Sequence, residues 1–138
     1  MIKYLLVLVL LTFPQEKKKH QLKIENGFYG DKAFGNAFSF YEFRNKKAYR
    51  YSSNVGSRYG QGTYQLNPAD STIIIRYSMT YYSKYPWKNY LPLKNDTLKY
   101  CVEENGFLKL QGYKYAKSTE FFESQKKRIK KGSKIIVK

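Results

Sequence analysis

One cysteine, one histidine and one tryptophan stand in 138 residues, and ten acids face 26 lysines and arginines. The lone Cys101 rules out an intramolecular disulfide, a cysteine-based zinc cluster and a CxxC redox pair. On an alternating strand it shares a face with Lys99 and Glu103, as a half-exposed passive thiol. His20 sits beside a lysine run, distant from that thiol in sequence, so neither has the partner that nucleophilic catalysis needs. No two acids are spaced as a general acid and base: Glu103 and Glu104 adjoin a turn and point opposite ways. Gly60-Gln61-Gly62 reads as a glycine pair in a turn, without the strand-to-helix context of a phosphate cradle. The expectation is no catalytic residue, no metal and no cofactor, and hence no enzyme.

A long hydrophobic run is also missing, since a spanning helix needs about 20 apolar residues. The longest run, Tyr4 to Phe13, follows Met1-Ile2-Lys3 and closes at Pro14-Gln15, which reads as the n- and h-regions of a secretory signal. The expectation is therefore an exported, periplasmic or secreted protein with residues 1–15 as signal peptide. Thr12-Phe13-Pro14 is a poor small-residue cleavage site, so an uncleaved N-terminal membrane anchor is the alternative. No cysteine follows the run to carry a lipid. A buried strand of the domain is the competing reading of the run.

What the chain has in abundance is tyrosine, fifteen of them, with aromatics at 18% and hydrophobic residues at 42%. That much apolar material offsets backbone entropy, so the body folds, as one domain at this length. The net charge of +16 is uneven. Lys126, Lys127, Arg128, Lys130, Lys131, Lys134 and Lys138 crowd the end with no acid among them. Such a run suits an anionic partner, here an envelope component, or is simply a solvated tail. Nucleic acid is disfavoured, because no RNP-like, helix-turn-helix or zinc-finger pattern accompanies the charge.

From Phe38 to Gln111 short aromatic-rich strands alternate with turn formers. Ala37–Phe43 and Ala48–Ser52 flank a hairpin turn at Asn45-Lys46-Lys47, and Gly62 opens the next strand. Thr72 to Met79 holds three β-branched isoleucines in a row, with Ile73, Ile75, Tyr77 and Met79 expected on one face. Thr80 to Tyr90, around Pro86, reads as a loop. Leu91–Lys94, Thr97–Glu103 and Phe107–Gln111 follow as strands, with Asn105-Gly106 a hairpin signal, and Gly112 bends the chain into Tyr113–Lys117. Ser118 is the expected N-cap of a helix over Glu120 to Lys131, with Phe121, Phe122, Gln125 and Ile129 on its packed side and Gly132 as stop. Ile135-Ile136-Val137 is left between a returning strand and a frayed end.

The stretches Phe38-Ser39-Phe40, Tyr49-Arg50-Tyr51, Gly60 to Leu66, Asp70 to Ile75 and Leu93 to Leu98 follow one rhythm of turns and strands, which resembles the lipocalin-like proteins of small exported bacterial families. The resemblance covers about half of the chain, and the early Gly-x-Trp of lipocalins is replaced by Gly27-Phe28-Tyr29-Gly30. It implies an all-β fold: an antiparallel up-and-down β-barrel of about eight strands, here with a short C-terminal helix. The expected organisation is a polar lead-in at 16–36, the barrel at 37–117 and the helix with its basic tail at 118–138. Closure suits such strands because it removes exposed edges.

Two binding regions follow. The barrel interior is expected to be lined by Tyr49, Tyr51, Tyr64, Ile73, Ile75, Tyr77, Leu98 and Tyr100, with Leu108 and Leu110, around a small apolar ligand or as a filled core. A surface loop carries Tyr81, Tyr82, Tyr85, Trp87 and Tyr90, amphipathic rings fit to stack on sugars, sit at a lipid interface or cap the barrel end. Ligand identity and oligomeric state are not written in these patterns.

Overall fold

The computed structural model describes residues 21–31, 39–53, 57–83, 93–117, 119–133 and 135–137. Among the described residues, nine strands and one helix follow in chain order: β1 (Gly27–Asp31), β2 (Ser39–Arg44), β3 (Lys47–Ser52), β4 (Arg58–Asn67), β5 (Thr72–Tyr82), β6 (Asp96–Val102), β7 (Leu108–Leu110), β8 (Tyr113–Ala116), α1 (Glu120–Gly132) and β9 (Ile135–Val137). The strand order is β7-β6-β5-β4-β3-β2-β1-β8, antiparallel throughout. Neighbours in sequence are neighbours in space until β8, which lies beside β1. The meander thus comes full circle into a nearly closed barrel, and Gly112, at φ +83°, turns the chain between β7 and β8 at the seam.

Local chemistry accounts for the elements. Asn45 and Lys46 both take positive φ, 50° and 64°, the conformation that a two-residue hairpin turn demands, and Arg44 pairs with Lys47 across it. β5 is the longest strand, built on Ile73-Ile74-Ile75. Its first half pairs with β6 and its last three residues with β9. Ser78 is one residue too many against β4, where Gln61 pairs with Met79 and Gly62 with Tyr77. This bulge reverses the side-chain alternation of β5. Tyr77 stays inside while Met79 turns outward, so the four residues expected on one face are split. Gly62 allows the close approach: a Cβ there would collide with the Arg76 carbonyl.

Two cores result. The interior cluster takes Tyr29, Tyr41, Phe43, Ala48, Ile73, Ile75, Leu98, Tyr100, Leu108 and Leu110, with Tyr64, Leu66, Tyr77 and Tyr113 packed against it. The second lies on the outer face of the same wall: Phe28, Phe40, Tyr49, Tyr51 and Tyr59, roofed by Phe122 and Ile129 of α1. Its rings form a ladder across four strands, Phe40–Tyr51–Tyr59–Tyr81, with centroids 4.9, 5.2 and 4.9 Å apart.

Several expectations need correction. β1 pairs with both β2 and β8, so the barrel takes in residues from Gly27, within the stretch assigned to the lead-in. Gly60 and Gly62 lie inside β4 rather than in a turn. Leu93 and Lys94 are not strand, and residues 91 and 92 lie outside the described residues. The helix is capped by Thr119, whose hydroxyl accepts from the Phe122 N–H at 3.2 Å, while Ser118 lies outside the described residues. Phe121 is half exposed, because Phe122, Lys126 and Ile129 are the residues that face the barrel. Ile135–Val137 does return as a strand.

Candidate functional site

Residues 21–26 cross the barrel end that carries the β2–β3 turn. The Lys23 N–H donates to the Gly106 carbonyl at 3.0 Å, and the Leu108 N–H donates to the Lys23 carbonyl at 2.9 Å. Two hydroxyls fix the same segment: Tyr29 donates to the Glu25 carbonyl at 3.1 Å and Tyr115 to the Asn26 carbonyl at 2.8 Å. Leu22 and Ile24 pack on the interior cluster from this end.

An open groove of about 590 Å³ lies between that segment and the barrel rim. Its apolar lining is Leu22, Ile24, Tyr64, Leu66, Phe107 and Tyr115. Lys23, Lys46 and Lys117 stand around it, all exposed, with Glu25 the one carboxylate of the lining. The two ion pairs among the described residues, Arg50–Asp96 and Lys126–Glu42, use none of these lysines. The size fits a small ligand.

The opposite end of the interior holds a polar cluster. Arg50 Nη1 donates to both Asp96 carboxylate oxygens at 3.2 Å, Tyr41 donates to Asp96 at 3.1 Å, and the Tyr77 hydroxyl donates to the same oxygen. Burial first, then the Asp96 charge, push the Tyr77 hydroxyl far above its ordinary pKa; burial does the same for Tyr41, against the pull of Arg50. Both remain donors at neutral pH, so the carboxylate is fully partnered. Desolvation works against the Arg50 charge, but Tyr41 and Asp96 outweigh it and its pKa rises. The Asp96 carboxylate is shared by donors from three strands, so the arrangement holds strands together, although the Arg50 Nε is buried without a partner among the described residues.

A second buried pair sits beneath α1. Lys126 Nζ lies 3.1 Å from Glu42, which also accepts from the Tyr51 hydroxyl at 2.9 Å. Burial, then the Glu42 charge, raise the Tyr51 pKa well above the ordinary range.

The eight residues expected to line the interior are therefore divided. Tyr64, Ile73, Ile75, Tyr77, Leu98 and Tyr100 belong to the interior cluster or pack on it, and of these Tyr64 also lines the groove. Tyr49 and Tyr51 point the other way, under the helix, while their neighbours Ala48 and Arg50 face in. Tyr81 and Tyr82 belong to β5, paired with β4 and β9, rather than to a loop. Tyr81 stacks on Tyr59. Tyr85, Trp87 and Tyr90 lie outside the described residues. Cys101 is exposed, and its sulfur accepts from Gln111 Nε2 at 3.4 Å. Sequence reasoning missed the groove, because the lead-in that forms one wall carries only Leu22 and Ile24 as signal. It also missed Asp96, which falls between the strands expected at Leu91–Lys94 and Thr97–Glu103.

No protein-family model, curated protein or solved structure matches this chain.

Proposed function

We propose that this chain is an exported, lipocalin-like, non-catalytic protein that binds a small apolar ligand or envelope component. The groove at the barrel end carries the reading: about 590 Å³ of space against Leu22, Ile24, Tyr64, Leu66, Phe107 and Tyr115. Such concave, mostly apolar spaces beside a preformed core are where small ligands bind, with little reorganisation of the protein. Export rests on the apolar run Tyr4 to Phe13 behind Lys3. Absence of catalysis rests on the inventory of histidines, thiols and paired acids in the sequence.

The test is native mass spectrometry of protein purified from its own host, together with uptake of an uncharged apolar fluorophore. A co-purifying small compound, and saturable uptake that Leu66→Arg abolishes, are the expected results. No adduct and no uptake would sink the proposal. For export, the mature N-terminus is sequenced, and an intact Met1 in a soluble cytosolic fraction would defeat it.

A second reading is favoured by α1, where Lys127, Arg128, Lys130 and Lys131 are exposed. They suit docking on an anionic envelope polymer. Binding to such a polymer that weakens steeply with salt would support it, because exposed charges are screened.

A further inference from the structure

We propose that the groove selects an organic anion: a ring-sized apolar body seated on Tyr64, Leu66 and Phe107, with its acidic head among Lys23, Lys46 and Lys117. The inference rests on the reading of the groove as a binding site and adds the charge of what it takes.

Three separate pieces of chain bring the lysines to one rim. Lys23 comes from the segment crossing the barrel end, Lys46 from the β2–β3 turn, and Lys117 from just beyond β8. None is spent on a carboxylate among the described residues. Lys46 holds the second position of a turn at φ +64°, where glycine is the usual occupant, so turn geometry is not what calls for a lysine. The opposing charge is weak: Glu25 is the lone acid of the lining, and it sits beside Tyr115, whose pKa is raised by burial and then by that carboxylate. A neutral ligand would use the apolar wall and gain nothing from three cations. An anion of the same body uses both. A cation would meet a repulsive rim.

The experiment compares two fluorescent probes of one body: anilinonaphthalene sulfonate and its uncharged parent, phenylnaphthylamine. Both are titrated into the full chain and into two triple variants, Lys23→Gln/Lys46→Gln/Lys117→Gln at the groove and Lys127→Gln/Arg128→Gln/Lys131→Gln on α1. All six positions are exposed, so both variants keep the fold. The sulfonate is expected to bind roughly tenfold more tightly than its parent, the sum of three exposed charge contacts. The groove variant should lose that tenfold for the sulfonate and leave the parent unchanged, whereas the α1 variant should change neither. Equal affinities for the two probes, or loss on the α1 variant instead, would overturn the anion selectivity while leaving the groove a binding site. Failure of both probes to bind would overturn the binding site itself.

Discussion

The inside of the barrel and the outer face beneath α1 are cores of the same wall, yet they are built differently. The interior draws on strands all round the barrel and gathers polar side chains on one carboxylate, with Arg50, Tyr41 and Tyr77 converging on Asp96. The outer core is a stack of rings on β1 to β5 that depends on thirteen residues of helix to exclude water. One core closes by topology, the other by a lid made after the barrel in sequence. Hence β2 and β3 are buried on both faces, unlike an ordinary antiparallel strand with one wet side.

If the two cores are equal in weight, Phe43→Ala inside and Phe40→Ala outside should each cost about 3–5 kcal/mol, since both leave a phenyl-sized void among buried neighbours. Urea unfolding of the two variants measures this. A cost under about 1 kcal/mol for Phe40→Ala would mean that the helix lid is open in solution, and the comparison would fail.

The charged pairs sharpen the contrast. Lys126→Met leaves Glu42 buried at 5% exposure without its cation, a loss of about 3 kcal/mol. Adding Glu42→Gln should recover most of it, because the amide oxygen still accepts from Tyr51 and no charge remains to be solvated. A double variant as unstable as the single one would show that the lysine acts by packing on Phe28, whose ring centroid lies 6.0 Å from its Nζ.

How much of this was legible follows from the two cores. The strand train, the turns at Asn45, Gly106 and Gly112, and the late helix were readable because each depends on local conformational preference. The direction of Tyr49 and Tyr51 was not. Alternation tells which residues share a face, and when both faces are buried it no longer tells which is the interior. Apolar character placed the tyrosines inside, whereas the real interior takes Ala48 and the ion-paired Arg50. The bulge at Ser78 hides Met79 and Tyr81 for another reason, since one extra residue reverses every later side chain without any mark in composition. The groove depends on residues 21–26 lying across the rim, a long-range contact with Gly106 and Leu108 that no local pattern announces.

Alkaline titration reads both cores at once. Burial raises the pKa of Tyr29, Tyr41 and Tyr77 inside and of Tyr51 outside, and lifts Tyr59 to about 12. A tyrosine whose folded pKa lies above its unfolded value of about 10 contributes full stability below that value. As pH rises further the unfolded chain loses protons that the folded chain keeps, so stability falls. The contribution of these tyrosines to the unfolding free energy should therefore be constant up to about pH 10 and decline above it. The buried tyrosines should show tyrosinate absorbance only together with loss of the fold. Ionisation of all fifteen tyrosines near their ordinary value, with the fold intact, would mean that water reaches both cores.

The smallest effect concerns one atom. Among the interior tyrosines, Tyr41 and Tyr77 donate to Asp96 and Tyr29 to the Glu25 carbonyl, but the Tyr100 hydroxyl is buried with no hydrogen-bond partner among the described residues. A buried polar group without a partner carries a desolvation cost of about 1–3 kcal/mol. Tyr100→Phe removes that cost and keeps the ring, so its stability should equal or exceed that of the parent protein by up to about 1 kcal/mol. Tyr77→Phe, by contrast, takes a donor from Asp96 and should lose about that amount or more. The comparison is made twice, on protein from its own host and on protein refolded from denaturant. Destabilisation by Tyr100→Phe in the first and not in the second would place a bound molecule at that hydroxyl. The interior, and not only the groove at its rim, would then be a ligand seat.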